Sequence, residues 1–212
     1  MSYPVIVIGG GGHAKVLVDA LIIQLFSIKG ITEQDENKWG GEMLGVPVIG
    51  GDEKVLLYPP DKVQLVNGLG SVKKTRNRRL AYENFKNKGY TFASVIHPSA
   101  VISIDVELSE GVQIMAGAII QAGSRIGENT IINTKASVDH DCIIGNHVHV
   151  ASGATLSGGV CVGDGVHIGA GATVMQYVSL GKNSVVGAGA LVIEDVPEGA
   201  TVVGVPAKVV PQ

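Results

Sequence analysis

Stepping through the second half of the chain six residues at a time, from Ile96 to Val192, meets an aliphatic residue at all 17 stops. Four places after each stop stands a second series, running from Ala100 and Val106 through Cys142 and Ala154 to Val196, whose members are all small or β-branched. A period of six fits neither the 3.6 of a helix nor the 2.0 of a strand. It suits a short strand followed by a turn, with two inward side chains per unit. Three units close a triangular coil, and successive coils stack at a strand spacing of about 4.8 Å. Seventeen units make nearly six coils, and Gly145, Gly163, Gly169, Gly181 and Gly187 fall where such a coil must turn. Tight or positive-φ geometry is expected at these glycines.

Composition narrows the remaining choices. The chain has 212 residues, 45% hydrophobic and 17% charged, with a net charge of −3, which argues against disorder and against a nucleic-acid footprint. No apolar run approaches ~18 residues, and Met1-Ser2-Tyr3-Pro4 shows no basic segment ahead of an apolar one, so a cytoplasmic protein without a membrane span is expected. Cys142 and Cys161 form no Cys-x-x-Cys pair, so neither a disulfide framework nor a thiolate metal site is expected.

Residues 1–92 lack the six-residue period and read as a small α/β domain, with the solenoid occupying 93–212. Pro4 to Ile8 reads as a buried strand, Gly9-Gly10-Gly11-Gly12 as a turn and His13 to about Leu25 as a helix. Further strands are expected at 45–49 and 63–66, a basic helix from about Lys73 to Lys86, and a linker near Tyr90 to Val95. A glycine-rich turn between strand and helix lets backbone N–H groups approach a phosphate at the positive helix end. Gly68-Leu69-Gly70-Ser71, after a later strand, offers a second close approach. Two such turns at the carboxyl ends of parallel strands favour a ligand crevice. Glu33 and Asp35 lie where an acidic residue can bind a ribose.

In the solenoid, His140 follows inward Val138 by two places and should point outward, between Asp139 and Asp141. A neighbouring carboxylate fixes an imidazole tautomer and raises its basicity, as a general base requires, although a solvated loop histidine fits the same pattern. One coil is 18 residues, so Gly158 should stack beside His140, and His149 should stack on His167. His147-Val148-His149 supplies two alternate histidines without a nearby third ligand, which leaves a metal site unsupported.

The run Gly-Gly-Gly-Gly-His-Ala-Lys at 9–15, Leu-Gly-Val-Pro-Val-Ile-Gly-Gly at 44–51, Asn133-Thr134 and Asp139-His140-Asp141 resemble the bacterial nucleotide-sugar N-acetyltransferases, a family shared with enzymes named sialic acid O-acetyltransferases. The resemblance spans essentially the whole chain and implies a Rossmann-like α/β domain followed by a left-handed parallel β-helix of hexapeptide repeats. It further implies a homotrimer with active sites between subunits, acetyl-CoA as co-substrate without metal, and an acceptor that is a nucleotide-linked 4-amino-4,6-dideoxy sugar of bacterial glycan biosynthesis. A UDP-linked acceptor is favoured, with GDP and dTDP open.

By the same resemblance His140 is the general base and Asp141 its orienting carboxylate. Gly10, Gly11, Gly12, His13, Lys15, Asp35, Gly68, Gly70 and Asn133 bind the sugar nucleotide, and His149, Gly158, Ala170, Ala188 and Lys208 line the CoA groove. Gly158 would let the pantetheine arm pass close by and lend a backbone N–H to the thioester carbonyl. Two other functions use the same fold: O-acetylation of a sugar hydroxyl, as in sialic acid, and a non-catalytic scaffold that binds nucleotide sugar.

Overall fold

The computed structural model describes residues 3–71 and 75–210, so the expected helix start at Lys73 lies outside the described residues. The α/β unit runs β1 (Val5–Ile8), α1 (Gly12–Ile23), β2 (Ile28–Thr32), β3 (Glu42–Met43), β4 (Val46–Gly50), β5 (Gln64–Asn67) and α2 (Arg76–Asn87). Its sheet has the order β3-β4-β2-β1-β5. The strands β4, β2, β1 and β5 are parallel, and β3 joins as an antiparallel edge. All residues of β1 are buried, as befits a parallel strand near the centre of its sheet. Helix α1 stops at Ile23, short of the expected Leu25, because Gln24 caps it and Leu25 takes a positive φ of 60° with its side chain in solvent.

The second half is a three-sided solenoid of 17 two-residue strands, from Val95–Ile96 to Leu191–Val192. Each strand pairs in parallel with the one a full coil away, as in Ile131↔His149 and His149↔His167. The first face has eight strands, including the terminal pair Thr201–Val203 and Lys208–Val209. The second face, from Val101 to Val192, has six strands, and the third, from Glu107 to Leu180, has five. Both periodic series point inward and form one continuous core. At its N-terminal end Ile96, Ile102 and Leu108 remain partly exposed, because no coil precedes theirs.

The glycines at 145, 163, 169, 181 and 187 serve close approach and not positive φ. A Cβ at Gly169 would lie 2.5 Å from the Ala188 backbone nitrogen of the next coil, whereas the positive-φ turns fall on other columns such as Gly123 and Gly159.

The expected linker is packed structure. Tyr90, Phe92, Ala93 and Val95 are all buried, Phe92 extends the sheet by pairing with Leu65, and the Tyr90 hydroxyl donates to the carbonyls of Val55 and Tyr58 at 3.1 and 2.8 Å. Met115 and Val95 of the solenoid share a buried cluster with Val5, Leu17 and Leu21, so the α/β unit is docked on the first face. Helix α2 completes the contact through the buried stripe Arg78, Tyr82 and Phe85, at helical spacing.

Candidate active site

The cleft begins at two glycine turns. Gly68 follows β5, and a Cβ there would lie 2.8 Å from the carbonyl oxygens of both Ile8 and Gly9, so only glycine lets the β5 turn close on β1. Gly70 rests on His13. Gly11 caps α1 without a side-chain partner, the first turn carries no acidic residue, and a Cβ at Gly11 or Gly12 would meet nothing within 4 Å. This is an open helix N-terminus with unclaimed amide donors, a suitable seat for an anion. Asn133, Thr134, His149 and Ser152 close the opposite wall from the solenoid, giving a cleft of about 510 Å³.

Among the residues expected to hold the sugar nucleotide, Gly11, Gly12, His13, Gly68, Gly70 and Asn133 line this cleft. So does His149, expected at the CoA groove. Gly10 abuts Glu33 instead, whose Oε2 would lie 2.8 Å from a Cβ at position 10. Lys15 is exposed on α1, outside the cleft lining. Asp35 turns into a local cap, accepting from the Asn37 backbone N–H at 3.1 Å and the Asn37 amide at 2.9 Å. Glu33, just past β2, is therefore the carboxylate at the glycine turn. Burial pushes its carboxyl pKa up, but the backbone N–H of Asp35, the Lys38 ammonium at 3.0 Å and the backbone N–H of Gln34 outweigh this and hold it below the ordinary value.

Behind the cleft a polar network joins the two halves of the chain. His13 Nε2 meets Gln113 Oε1 at 2.7 Å, and Gln113 Nε2 donates to the Asn67 carbonyl at 2.8 Å. Arg78 donates to the carbonyls of Asn67 and Leu69, at 2.7 and 2.8 Å, and to that of Asn129 at 3.2 Å, fixing the turn around Gly68 from behind. Burial lowers the Arg78 pKa to about 9.

His149 bridges Ser71 (Nδ1 to Oγ, 2.7 Å) and Asn133 (Nε2 to Nδ2, 3.1 Å). The Thr134 backbone N–H donates to Asn133 Oδ1 at 2.8 Å, which turns the Asn133 amide nitrogen toward the histidine. His149 Nε2 must then accept, and Nδ1–H donates to Ser71. Ser71, which lines the cleft, thus accepts this bond through its Oγ. Burial lowers the pKa of His13 to about 4 and of His149 to about 3, so both rings are neutral near pH 7.

His140 stands elsewhere. It occupies the turn after Ser137–Val138, on the edge between the second and third faces, whereas Asn133, Thr134 and Ser152 lie on the edge between the first and second. Its Nδ1 is 2.8 Å from Asp141 Oδ2, and Asp139 accepts its backbone N–H at 2.8 Å. The ring covers Gly158, where any Cβ would collide with it, as the 18-residue stacking requires. The hydrogen bond to Asp141, with the charges of Asp139 and Asp141, raises the His140 pKa above its ordinary value. With Nδ1–H held by Asp141, the Nε2 lone pair is free to take a proton.

His167 pairs with His149 in register, ring centroids 5.1 Å apart. His147 packs edge-on to Tyr82 of α2, an interdomain contact, and lies 3.0 Å from the Asn129 amide one coil back within the solenoid. Ala170 and Ala188 are exposed on the edge that carries Thr134 and Ser152, one and two coils beyond Ser152. Lys208 is exposed on the terminal hairpin, opposite Val203. Among the described residues no group of three or more His, Cys, Asp or Glu is arranged to hold a metal ion, and no helix is long and apolar enough to cross a membrane.

Sequence reading missed Ser71, Gln113 and Arg78. Gln113 was accessible in principle, since it stands two coils before His149 on the same outward column. Arg78 could have been found from its helical spacing with Tyr82 and Phe85.

Two family models match the chain: the PglD N-terminal domain over residues 4–82 and the six-repeat bacterial transferase hexapeptide over residues 123–158. The perosamine N-acetyltransferase of Caulobacter crescentus, solved as a variant with CoA and GDP-perosamine, is 37% identical with a TM-score of 0.92, covering 100% of this chain and 99% of that chain. The acetyltransferase domain of PglB from Neisseria gonorrhoeae, solved with acetyl coenzyme A, is 36% identical with a TM-score of 0.89, covering 99% and 100%. WeeI from Acinetobacter baumannii is 26% identical with a TM-score of 0.88 over the same shares. Matched end to end at this identity, with both halves of its architecture accounted for, the chain belongs to the hexapeptide-repeat, left-handed β-helix nucleotide-sugar N-acetyltransferases.

Proposed function

We propose that the protein transfers the acetyl group of acetyl-CoA to the 4-amino group of a nucleotide-linked 4-amino-4,6-dideoxy sugar, at a site assembled between subunits of a homotrimer. The observation that carries this reading is a carboxylate-oriented base, His140, lying at the coil height of a cleft that it does not line in its own protomer. A threefold axis parallel to the solenoid keeps every residue at its height. Position 140 falls between Asn133 and Ser152, so rotation can bring one subunit's base to its neighbour's cleft. Val101 and Ile119 on the second face and Ile143 on the third are exposed aliphatics that such an assembly would cover.

The cleft suits the acceptor, with helix amides and glycine turns for a diphosphate and Asn133, Ser71 and His149 for the sugar. As the amine nitrogen attacks the thioester carbon, His140 Nε2 takes its proton. The C–S bond then breaks, the thiolate leaves, and the new amide remains on the sugar. No acyl-enzyme is needed, and Cys142, buried at an inward position with its thiol pKa pushed up by burial, is unsuited to carry one. The GDP-perosamine bound by the Caulobacter relative supports a GDP handle as a candidate, with UDP and dTDP as the others.

Mixed assemblies test the composite site. His140→Ala chains and chains carrying both Asn133→Ala and His149→Ala should each be nearly inactive. Co-expressed with different tags, they should regain activity in hybrids, because roughly one in three interfaces of a mixed trimer then pairs an intact base with an intact cleft. Hybrids as inactive as either parent would rule out a site shared between subunits.

A further inference from the structure

Arg78 is a buried guanidinium without a counter-ion. Its Nε and Nη1 donate to the carbonyls of Asn129, Asn67 and Leu69, and its Nη2 has no partner. Burial alone moves its pKa, so among the described residues no carboxylate neutralises it, and with that pKa at about 9 it stays protonated near pH 7. An unpaired charge held away from water is destabilising, and its field favours an anion close by. That field reaches the cleft. Among the described residues the cleft lining holds no lysine or arginine, and its two histidines are neutral near pH 7. After burial, the charge of Arg78 is the next cause of the lowered His13 pKa, and behind burial, His167 and His13 it also lowers that of His149. Both walls of the cleft therefore feel a cation that neither wall displays.

The turn after β5 carries the charge forward. Arg78 Nη1 donates to the Leu69 carbonyl at 2.8 Å, and the peptide bond from Leu69 to Gly70 is trans. In a trans peptide the N–H points opposite to the C=O. The Gly70 N–H therefore points away from Arg78, on the side where Gly70 lines the cleft, and it has no acceptor among the described residues. Its neighbours are already engaged: the Gly68 N–H donates to the Ile8 carbonyl at 2.8 Å, and the Leu69 N–H to Asn67 Oδ1 at 3.2 Å. Donation from a cation to a peptide carbonyl polarises that peptide and strengthens its N–H as a donor.

We infer that Arg78 is a positioning residue for the diphosphate of the acceptor: it aims and polarises the Gly70 N–H toward the anion and supplies positive charge from behind the turn, across the cleft from the open amides of α1. The inference rests on the reading of this cleft as the sugar-nucleotide site.

Calorimetric titration of the intact protein with UDP, GDP and dTDP, each beside its nucleoside, tests this. Arg78→Gln keeps a donor and removes the charge. For the diphosphate that wild type binds, it should lower affinity by about thirtyfold and leave nucleoside affinity within about twofold. Arg78→Lys keeps the charge and should bind that diphosphate within about fivefold of wild type. Losses of equal size in the two variants, or for diphosphate and nucleoside alike, would make Arg78 a brace for the turn and overturn the inference. Amide NMR of the wild-type protein needs no variant. The Gly70 N–H resonance should move downfield with the diphosphate and not with its nucleoside; a resonance indifferent to the diphosphate overturns the inference even where Arg78→Gln does not fold. A wild-type protein that binds none of the three diphosphates overturns both the inference and the reading beneath it.

Discussion

Replacing His140 with alanine should lower kcat for acetyl transfer by about a thousandfold, the middle of the range for a positioned general base. The side chain is exposed and supports no core, so fold, assembly and sugar-nucleotide affinity should survive. Calorimetric affinity measured beside thiol release separates these effects, and unchanged turnover would remove His140 from the mechanism. Asp141→Asn refines the test. Asp141 is the first cause of the raised His140 pKa, and the base must be neutral to act, so the wild-type rate should climb as pH rises through that pKa. Without the carboxylate the acid limb of kcat/KM should move to lower pH, while the plateau falls because the base is weaker. An acid limb that stays in place would assign it to another group.

Acid should destabilise the folded protein well before its carboxylates are protonated. His13 and His149 have folded-state pKa values lowered from 6.5 to about 4 and about 3, chiefly by burial. Below pH 6.5 the unfolded chain binds protons at these positions and the folded chain does not. Stability is therefore complete above that pH and is lost as pH falls toward the folded values. His13 alone accounts for about 3 kcal/mol across that window, at ~1.4 kcal/mol per pH unit. For a chain of this size that is a drop of roughly 10 °C in melting temperature between about pH 7.5 and about pH 4.5. His149→Asn should flatten the slope, even if its starting stability is lower. A melting temperature that stays level over this interval would mean that the interdomain cleft is not closed to protons.

The solenoid was legible to the residue, because its period is set by backbone geometry and the inward positions take only aliphatic residues in one series and small or β-branched ones in the other. The same arithmetic brought His140 over Gly158 and His149 over His167. What the period could not express is the docking of the α/β unit. Read along the repeat, His149 is one outward residue among many; it is buried because Ser71 and the β5 turn cover it, and that contact spans 78 residues of sequence. The packed stretch from Tyr90 to Val95 was hidden for the same reason, since its partners Leu65, Val55 and Tyr58 are distant in sequence. In β2, Ile28-Lys29-Gly30-Ile31-Thr32, a lysine and a glycine interrupt the apolar run, so little in the strand announces it. The choice between Glu33 and Asp35 turned on a local competition, because Asp35 is consumed by the Asn37 cap. The distance of His140 from the cleft follows from the edge of the coil on which it stands, and the sequence period, read without the docked α/β unit, does not say which edge borders the cleft.

The measurement closest to the central claim is release of free thiol from acetyl-CoA against UDP-, GDP- and dTDP-linked 4-amino-4,6-dideoxy sugars, with free sialic acid alongside and product mass recorded. Turnover with one amino-sugar nucleotide, yielding a product one acetyl group heavier through a new amide, is the expected result and names the base. Turnover with sialic acid alone, or with none of the panel, would contradict N-acetyl transfer to a nucleotide-linked amine.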